Sequence, residues 1–404
     1  MLALCLFRDQ LAHIKPIEQA LNGKVDFVYD NDWNEEKIRE LLPDIVIGIN
    51  EYHLDMIKCY QTAKELGIPT LTIQDGILEW RFMFENDLYK GNETGVPMHH
   101  PIIADKYACI GLLMAHHIAQ LGNAQKVEIT GMPKLDDIGN HKIEQKPKPK
   151  LLKKILIITS SKPWFDDEQK ITLLQSLHDL KSFFDKNTQY EPNWRITKGL
   201  ELELGVSTSF NKKETAEIKD QINECDAVIT TTSTTIIESM LLGKPVATLD
   251  YFNRPVLTPT VWNIRQKSDI KTTLDSIQSN DGNKNWMQED IKNQLIRTDK
   301  PASLVVADLI VSMIDFRKNN LKTEFPMNMT NWDYFLNGSF ENPEKASLYI
   351  NREVFNSTEI NWLQVRLARA ERENEAMRKQ LNKRTFGHIA ITAYSKLKKL
   401  AKKK

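Results

Sequence analysis

The chain has 404 residues, more than one hydrophobic core usually organises, and this length predicts two domains with additional segments. Its content of 41% hydrophobic and 27% charged residues is typical of a soluble globular protein. The formal net charge is zero, but residues 376–404 contain ten Lys or Arg and no Asp or Glu. The remaining 375 residues are therefore acidic, which argues against general nucleic-acid binding.

The cysteines and the N-terminus predict a cytoplasmic protein. None of the four cysteines has the CxxC spacing of a redox or zinc motif, so they are expected to be buried free thiols. Only seven mostly apolar residues precede Arg8, which is too short for a signal peptide and suits a first buried strand. No apolar run approaches the roughly 18 residues of a membrane span.

Apolar runs alternate with amphipathic stretches through the first 140 residues. Glu35–Leu42 and Leu54–Leu66 have helical periodicity, and Gly67 with Pro69 stops the second of them. Continuous apolar strands that alternate with helices predict a parallel sheet covered on both faces. The predicted strands are Leu2–Phe7, Val25–Tyr29, Ile45–Ile49, Thr70–Ile73, Tyr107–Ile110 and Val127–Thr130.

The same pattern restarts after a Lys/Pro-rich stretch, Glu144–Leu152, whose composition is typical of a linker. Two such units predict an α/β protein with two Rossmann-like domains, residues 1–145 and 146–317, facing each other across a cleft. The predicted strands of the second unit are Lys154–Thr159, Trp194–Thr197, Ala227–Thr230 and Pro245–Leu249. The predicted helices are Asp166–Phe184, Glu214–Asn223, Thr235–Leu242 and Ala302–Phe316.

The C-terminal region has a different organisation. Residues 318–358 lack periodicity and are interpreted as an irregular connector. Apolar residues at 3-4 spacing through 360–381, with Asn374 among them, favour a short coiled coil and a homodimer, or a helix that packs on its own domain. In residues 386–404 an apolar stripe runs beside lysines, which suits an anionic membrane surface or a solvated basic tail.

A hydroxyl-rich loop in residues 226–251 is the most informative segment. It follows a buried strand that ends at Thr230 and leads into a helix that carries Glu238. The start of a helix suits a phosphate, and a carboxylate one turn later suits ribose hydroxyls. Helix capping alone explains one hydroxyl rather than five in succession. The predicted nucleotide-sugar ligands here are Thr232, Ser233, Thr234, Thr235 and Glu238.

This segment resembles the donor-nucleotide loop and helix of GT-B glycosyltransferases, on Ser233, Thr234, Glu238 and the Gly243-x-Pro245-Val246 turn. The layout of residues 1–316 is similar as well. The resemblance implies that the second domain binds the nucleotide sugar, UDP- or CMP-linked, and that the first domain binds the acceptor. It also implies transfer without a metal ion or other cofactor.

Two further loops of the second unit are candidate donor contacts. Ser160, Ser161 and Lys162 follow its first strand, where ligands of doubly wound sheets bind, although a simple polar turn explains them too. Related enzymes carry a Lys-x-His-Pro-like segment after the next strand. Here Lys198 stands without His-Pro, and it is a possible substitute cation.

In the first unit, Gln74-Asp75-Gly76 follows a predicted strand, so Asp75 points toward the expected cleft. A carboxylate there can deprotonate an acceptor hydroxyl, and Asp75 resembles the Asp of the acidic-Gly motif of bacterial sialyltransferase-like enzymes. An ordinary Asp-Gly turn is the alternative. His100 is a second candidate base. Gln74, Glu79, Arg81 and His99 are the predicted acceptor contacts.

The resemblance implies a glycosyltransferase of bacterial surface polysaccharide biosynthesis, such as capsule or lipopolysaccharide. The basic amphipathic tail suggests that it acts on a glycan or lipid-linked glycan at the inner face of the plasma membrane. A nucleotide-sugar 2-epimerase and a polyol-phosphate transferase are alternatives on the same fold, and a coiled-coil scaffold is the non-enzyme alternative. The sequence contains no Walker loop and no GxGxxG motif, which disfavours ATP hydrolysis and NAD-dependent chemistry.

Overall fold

Two parallel sheets, each covered by helices, form the described part of the chain. The computed structural model describes residues 1–6, 11–49, 51, 53–86, 99, 101–139, 151–207, 217–320 and 324–330. His100, most of the predicted linker, and the predicted coiled coil and basic tail lie outside these residues. The architecture confirms the predicted α/β fold with two Rossmann-like sheets.

The first sheet has six strands in the order β2-β1-β3-β4-β5-β6, and every pair is parallel. All residues of β3, β4 and β5 are buried, as expected for strands covered on both faces. Each predicted strand is present, and no end differs from the prediction by more than two residues. The strands are β1 (Leu2–Cys5), β2 (Asp26–Tyr29), β3 (Ile45–Gly48), β4 (Thr70–Ile73), β5 (Lys106–Cys109) and β6 (Val127–Ile129).

The second sheet has five parallel strands in the order β11-β10-β9-β7-β8. Its second strand along the chain, β8, begins at Glu191, three residues before the predicted start. The prediction began too late because β8 lies at the sheet edge, and its first residues are mostly polar and lack the apolar pattern of a buried strand. A short fifth strand, Trp262–Ile264, was not predicted. The strands are β7 (Lys154–Ile158), β8 (Glu191–Arg195), β9 (Ala227–Thr230), β10 (Val246–Leu249) and β11 (Trp262–Ile264).

Helices connect the strands and cover both sheets. The long helix after β7 begins where the Asp166 side chain accepts a hydrogen bond from the Gln169 amide at 2.8 Å. None of the helices in the described residues combines the length and apolar character that a transmembrane span requires. The α-helices are α1 (Leu11–Leu21), α2 (Glu35–Leu41), α3 (Leu54–Glu65), α4 (Leu112–Ile118), α5 (Asp136–Gly139), α6 (Asp167–Lys186), α7 (Leu200–Leu204), α8 (Ile218–Glu224), α9 (Thr235–Leu241), α10 (Asp269–Gln278), α11 (Gly282–Leu295) and α12 (Ala302–Asn319).

The helix α12, the last in the described part of the chain, packs against the first sheet. Its buried residues, including Val306 and Ile310, share a hydrophobic core with Ile14 of α1 and Ile47 of β3. The Asp136 carboxylate caps the helix by accepting the amides of Ala302 and Ser303 at 2.7 and 2.9 Å. The chain therefore returns from the second sheet to the first. The sequence interpretation differs, because it assigned all of residues 146–317 to the second domain.

A buried ion pair anchors the segment after α12. The side chains of Lys106 and Glu128 are fully buried, and the Lys106 Nζ lies 2.8 Å from the Glu128 Oε1. Lys106 also donates to the Pro326 carbonyl at 2.6 Å, and Glu128 accepts the Met329 and Thr330 amides at 3.1 Å each. Residues 326–330, part of the predicted irregular connector, are thereby held against the first sheet.

Replacing Lys106 with methionine is expected to lower the free energy of unfolding by about 3–5 kcal/mol, because the Glu128 carboxylate stays buried without a counter-charge. Urea unfolding at neutral pH measures this loss. Lys181→Met breaks a partly exposed pair with Asp185 and serves as the control, with a much smaller expected loss. Equal losses in the two variants would contradict this role of the buried pair.

Candidate active site

Two loops from different sheets meet where their parallel strands end. One is the turn Gln74–Gly76 after β4, and the other is the hydroxyl-rich loop Thr231–Thr234 after β9. A Cβ atom placed on Gly76 would lie 3.5 Å from the Thr234 Oγ1, so the two loops are in close approach. The turn that carries Asp75, the predicted base, therefore lies close to the predicted phosphate loop in the cleft between the sheets.

Gln74 holds the turn that carries Asp75. Its Oε1 accepts the Ile110 amide at 3.0 Å, and its Nε2 donates to the Gly76 carbonyl at 2.7 Å. The residue is buried, whereas Asp75 is half-buried. Gln74, predicted as an acceptor contact, thus uses its side-chain amide to position the backbone around Asp75.

Lys134 connects the two loops electrostatically. It follows β6 in the short 3-10 turn Pro133–Leu135, and its Nζ donates to the Asp75 carbonyl at 3.2 Å. Burial lowers the pKa of Lys134, while the negative charges of Glu238 and Asp75 oppose this lowering. Lys134 was not predicted from the sequence, although its place five residues after the end of β6, at the same sheet edge, was the available signal.

Glu238 is a buried carboxylate on α9 whose Oε2 has no hydrogen-bond partner among the described residues. Burial raises its pKa, and the positive charges of Lys134 and Arg195 oppose this rise. Arg195 ends β8 and donates from its Nη1 to the Gln221 Oε1 at 3.1 Å. An unsatisfied buried acceptor is costly, so this oxygen is suited to a hydroxyl group of a ligand.

His13 is a second residue that the sequence analysis did not select. It lies on α1, is buried, and its Nδ1 has no hydrogen-bond partner within the described residues. Burial and the nearby charge of Lys134 lower its pKa to about 3, so the imidazole is neutral. Its ring adds a neutral polar group beside Lys134.

The hydroxyl-rich loop has an inner residue, the buried Thr231, and an outer part, the half-buried Thr232–Thr234. The Thr231 Oγ1 accepts the Ser160 amide at 2.8 Å, and the Thr230 Oγ1 lies 3.2 Å from the Ser233 Oγ. Thr232, Ser233 and Thr234 are half-buried, and Thr234 makes no side-chain cap bond to α9. Thr235 is buried at the first position of this helix. The outer hydroxyls are therefore not used as helix caps.

The loops after β7 and β8 border the same edge of the second sheet. The Thr197 Oγ1 donates to the Ser160 carbonyl at 2.7 Å, which joins the two loops. The Ser160 Oγ is buried and has no partner among the described residues, whereas Ser161, Lys162 and Lys198 are exposed. Ser160 thus lies beside Thr231, and the two predicted lysines lie farther out on the surface.

Arg81 joins the two sheets. Its buried guanidinium pairs with Glu79, donates to the Pro163 carbonyl at 3.1 Å, and lies 3.7 Å from the centre of the Phe252 ring. Burial raises the pKa of Glu79 to about 7, although the Arg81 charge opposes this rise. Arg81, predicted as an acceptor contact, is engaged in these interdomain contacts.

A small cavity of about 20 Å³ lies beside this bridge. Glu79 and Arg81 line it from the first sheet, and Thr232 and Asp250 line it from the second. Arg254 borders it and pairs with Glu85 of the first domain at 2.5 Å. The cavity thus opens next to the outer hydroxyls of the loop after β9.

His99 takes no part in the contacts around Asp75 and Glu238. It is buried, packs edge-on against Tyr107 at 5.1 Å between ring centres, and its carbonyl accepts from Asn123 at 2.8 Å. Burial lowers its pKa to about 4. The structure gives His99 the environment of a packing residue.

Comparison with solved structures agrees with this architecture. MnaA from S. aureus, in complex with UDP, has a TM-score of 0.53 at 13% identity, covering 81% of this chain and 99% of its own. The UDP-GlcNAc 2-epimerase of Methanocaldococcus jannaschii, with UDP-GlcNAc and UDP, gives 0.50 at 14% identity, covering 78% and 99%. The chain has the GT-B fold.

A third GT-B structure, the UDP-GlcNAc 2-epimerase of Neisseria meningitidis bound to UDP-GlcNAc, has a TM-score of 0.50 at 12% identity, covering 78% of this chain and 98% of its own. No protein-family model and no curated protein sequence matches the chain. Of these comparisons, the one with solved structures is therefore the one that finds similar proteins.

Proposed function

We propose that this GT-B protein is a glycosyltransferase that moves a sugar from a nucleotide-sugar donor to a hydroxyl group of a glycan. The observation that carries the proposal is the close approach of the Asp75-Gly76 turn to Thr234. A carboxylate and a hydroxyl-rich loop face each other there, with Lys134 interacting with both sides. This arrangement suits a proton acceptor opposite an anionic leaving group.

The donor would bind to the second domain. Thr232, Ser233 and Thr234 supply hydroxyl donors for the phosphates, and the Glu238 Oε2 supplies an acceptor for the ribose hydroxyls. The helix α9 has only seven residues, so its dipole contributes little and the side chains carry the binding. Ser160, with a buried hydroxyl that lacks a partner in the described residues, extends the same surface.

In the reaction, Asp75 would accept the proton of the acceptor hydroxyl as its oxygen forms a bond to the anomeric carbon. The bond from that carbon to the donor phosphate breaks, and its electron pair stays on the phosphate. Lys134 and Arg195, whose positive charges act on Glu238, would stabilise this negative charge. We therefore propose transfer without a metal ion, with side-chain cations in that role.

The natural acceptor, in this proposal, is a glycan or lipid-linked glycan of a bacterial surface polysaccharide. The basic apolar stripe of residues 386–404 supports access to lipid-linked substrate at the membrane. Residues 360–381 would dimerise the protein. Both segments lie outside the described residues.

A nucleotide-sugar 2-epimerase is the second candidate, because the similar structures include the UDP-GlcNAc 2-epimerases of Methanocaldococcus jannaschii and Neisseria meningitidis. An epimerase needs no acceptor and converts its substrate into an isomer that keeps the nucleotide. Proton NMR of the purified protein with a UDP-sugar alone distinguishes the two functions. Formation of the epimeric UDP-sugar would favour the epimerase over transfer.

Donor binding is expected to raise the melting temperature of the protein. UDP-, CMP- and GDP-sugars are added in turn, and the effective donor is then tested on a variant with Ser233→Ala and Glu238→Ala. The variant is expected to lose the shift, because it lacks a phosphate contact and the ribose acceptor.

A variant with Thr272→Ala and Glu289→Gln provides the matched control, since both residues are exposed on the outer helices α10 and α11. The control is expected to keep the full shift. No shift with any nucleotide sugar in the wild-type protein, or an equal shift in both variants, would contradict the proposed donor site.

A further inference from the structure

A recessed aromatic surface lies on the first domain, apart from the contacts around Asp75. The rings of Trp33 and His53 are stacked, with centres 4.7 Å apart and planes at 29°. They belong to the loops that follow β2 and β3. An open pocket of about 340 Å³ lies beside them, and it is lined by Asp32, Trp33, Asn34, Glu35, Asp55 and Lys58.

The loop that presents Trp33 is held in one conformation. The buried Asp30 carboxylate accepts the amides of Asn34 at 2.8 Å and Asp32 at 3.4 Å, and it pairs with Lys37 at 3.4 Å. Trp33 itself has a left-handed φ of 49°, which costs energy in a bulky residue and persists only when the surroundings impose it. The ring is therefore presented before any ligand binds.

The strand order relates this pocket to Asp75. All strands are parallel, so the loops after β2, β3 and β4 lie on the same edge of the sheet. The order β2-β1-β3-β4 places three strand spacings, roughly 14 Å, between the Trp33 loop and the Asp75 turn. A single sugar ring does not span this distance, whereas an oligosaccharide does.

We propose that the Trp33–His53 surface is a distal acceptor subsite that binds a sugar ring of an oligosaccharide whose end lies at Asp75. An aromatic face packs against the C–H groups of a sugar ring, and the pocket carboxylates accept its hydroxyl or amino hydrogens. The pocket has three carboxylates, and its single ammonium, Lys58, pairs with Asp55 at 3.0 Å. This charge selects neutral or amino-bearing sugars over acidic ones.

The proposal rests on the proposed transfer function, but direct binding tests it separately. Isothermal titration calorimetry of the full chain uses glucosamine, maltohexaose, the glucosamine hexamer, its N-acetylated form and a galacturonate hexamer. At least one neutral or amino hexamer is expected to bind more tightly than glucosamine, and the galacturonate hexamer is expected to bind most weakly. Absence of binding by every hexamer, or preference for galacturonate, would overturn the subsite.

Trp33→Ala is expected to weaken binding of the preferred hexamer by up to about tenfold, whereas Trp33→Phe keeps most of it. Trp286→Ala, at an exposed tryptophan of the second domain, is the control and is expected to leave affinity unchanged. Asp32→Asn tests the charge independently, since it is expected to weaken the amino hexamer more than the N-acetylated one. Unchanged affinity in both Trp33→Ala and Asp32→Asn would exclude the pocket.

The donor-induced thermal shift separates the two proposals. Trp33→Ala is expected to keep that shift, because the donor binds to the other domain. Hexamer binding that depends on Trp33 in a protein without any donor shift would support the subsite and reject the transferase. A donor shift without Trp33-dependent binding would reject the subsite and leave the proposed donor site standing.

Discussion

Replacing Asp75 with asparagine is expected to lower kcat for glycosyl transfer by about 10²–10⁴, the usual contribution of a general base. Asparagine has nearly the same shape but does not accept the proton of the acceptor hydroxyl. The turn keeps its conformation, because Gln74 bonds to Ile110 and to the Gly76 carbonyl without using the Asp75 side chain. Steady-state kinetics with the identified donor and acceptor measures the loss.

The donor-induced rise in melting temperature is expected to stay unchanged in Asp75→Asn, because the phosphate and ribose contacts lie on the other domain. Asp26→Asn is the matched control, since Asp26 is exposed at the opposite end of the same sheet. A loss of less than about threefold in kcat would remove Asp75 from the role of base.

Lys134→Met is the second variant with a large expected effect, a fall in kcat of about 10²–10³, which is typical of losing one preorganised group that stabilises developing charge. The side chain donates to the Asp75 carbonyl and acts on Glu238, so methionine removes a charge from between both loops. Lys134→Arg keeps the charge and is expected to recover part of the activity.

An NMR titration of His13 provides a readout that is independent of activity. The charge of Lys134 is one of the two causes that depress the His13 pKa, so this pKa is expected to rise in Lys134→Met. Lys186→Met, at an exposed position near the end of α6, is the control. An unchanged His13 pKa together with full activity would show that Lys134 does not act at this site.

Periodicity in the sequence was sufficient to predict the two sheets. All six strands of the first sheet and three of the five in the second match predicted runs, because buried parallel strands are mostly apolar, whereas the polar strand β8 overlaps its predicted run by two residues. The same reasoning placed Asp75 and the Thr231–Thr235 loop at strand ends, where ligands bind in this type of sheet. Their approach across the cleft follows from the fold rather than from either segment.

Pairings between distant residues could not be predicted in this way. Lys134 is 59 residues from Asp75, and Arg81 is 82 residues from its acceptor Pro163, so no local pattern relates them. Arg81 and His99 were predicted acceptor contacts. In the structure, Arg81 donates a hydrogen bond to the other domain, and His99 is buried against Tyr107. No sequence motif includes Trp33. Its place beside a pocket follows from the loops after β2 and β3, which bring Trp33 and His53 together.

The amino-acid sequence by itself determined the fold class, most of the strands and the loops that carry the hydroxyl and carboxylate groups, because these depend on local periodicity and on the ends of strands. Only the tertiary structure decided which polar groups meet, which are already satisfied, and that α12 returns to the first sheet. These features depend on packing and hydrogen bonds between segments that are far apart in the chain, and such contacts cannot be predicted from composition or local residue spacing.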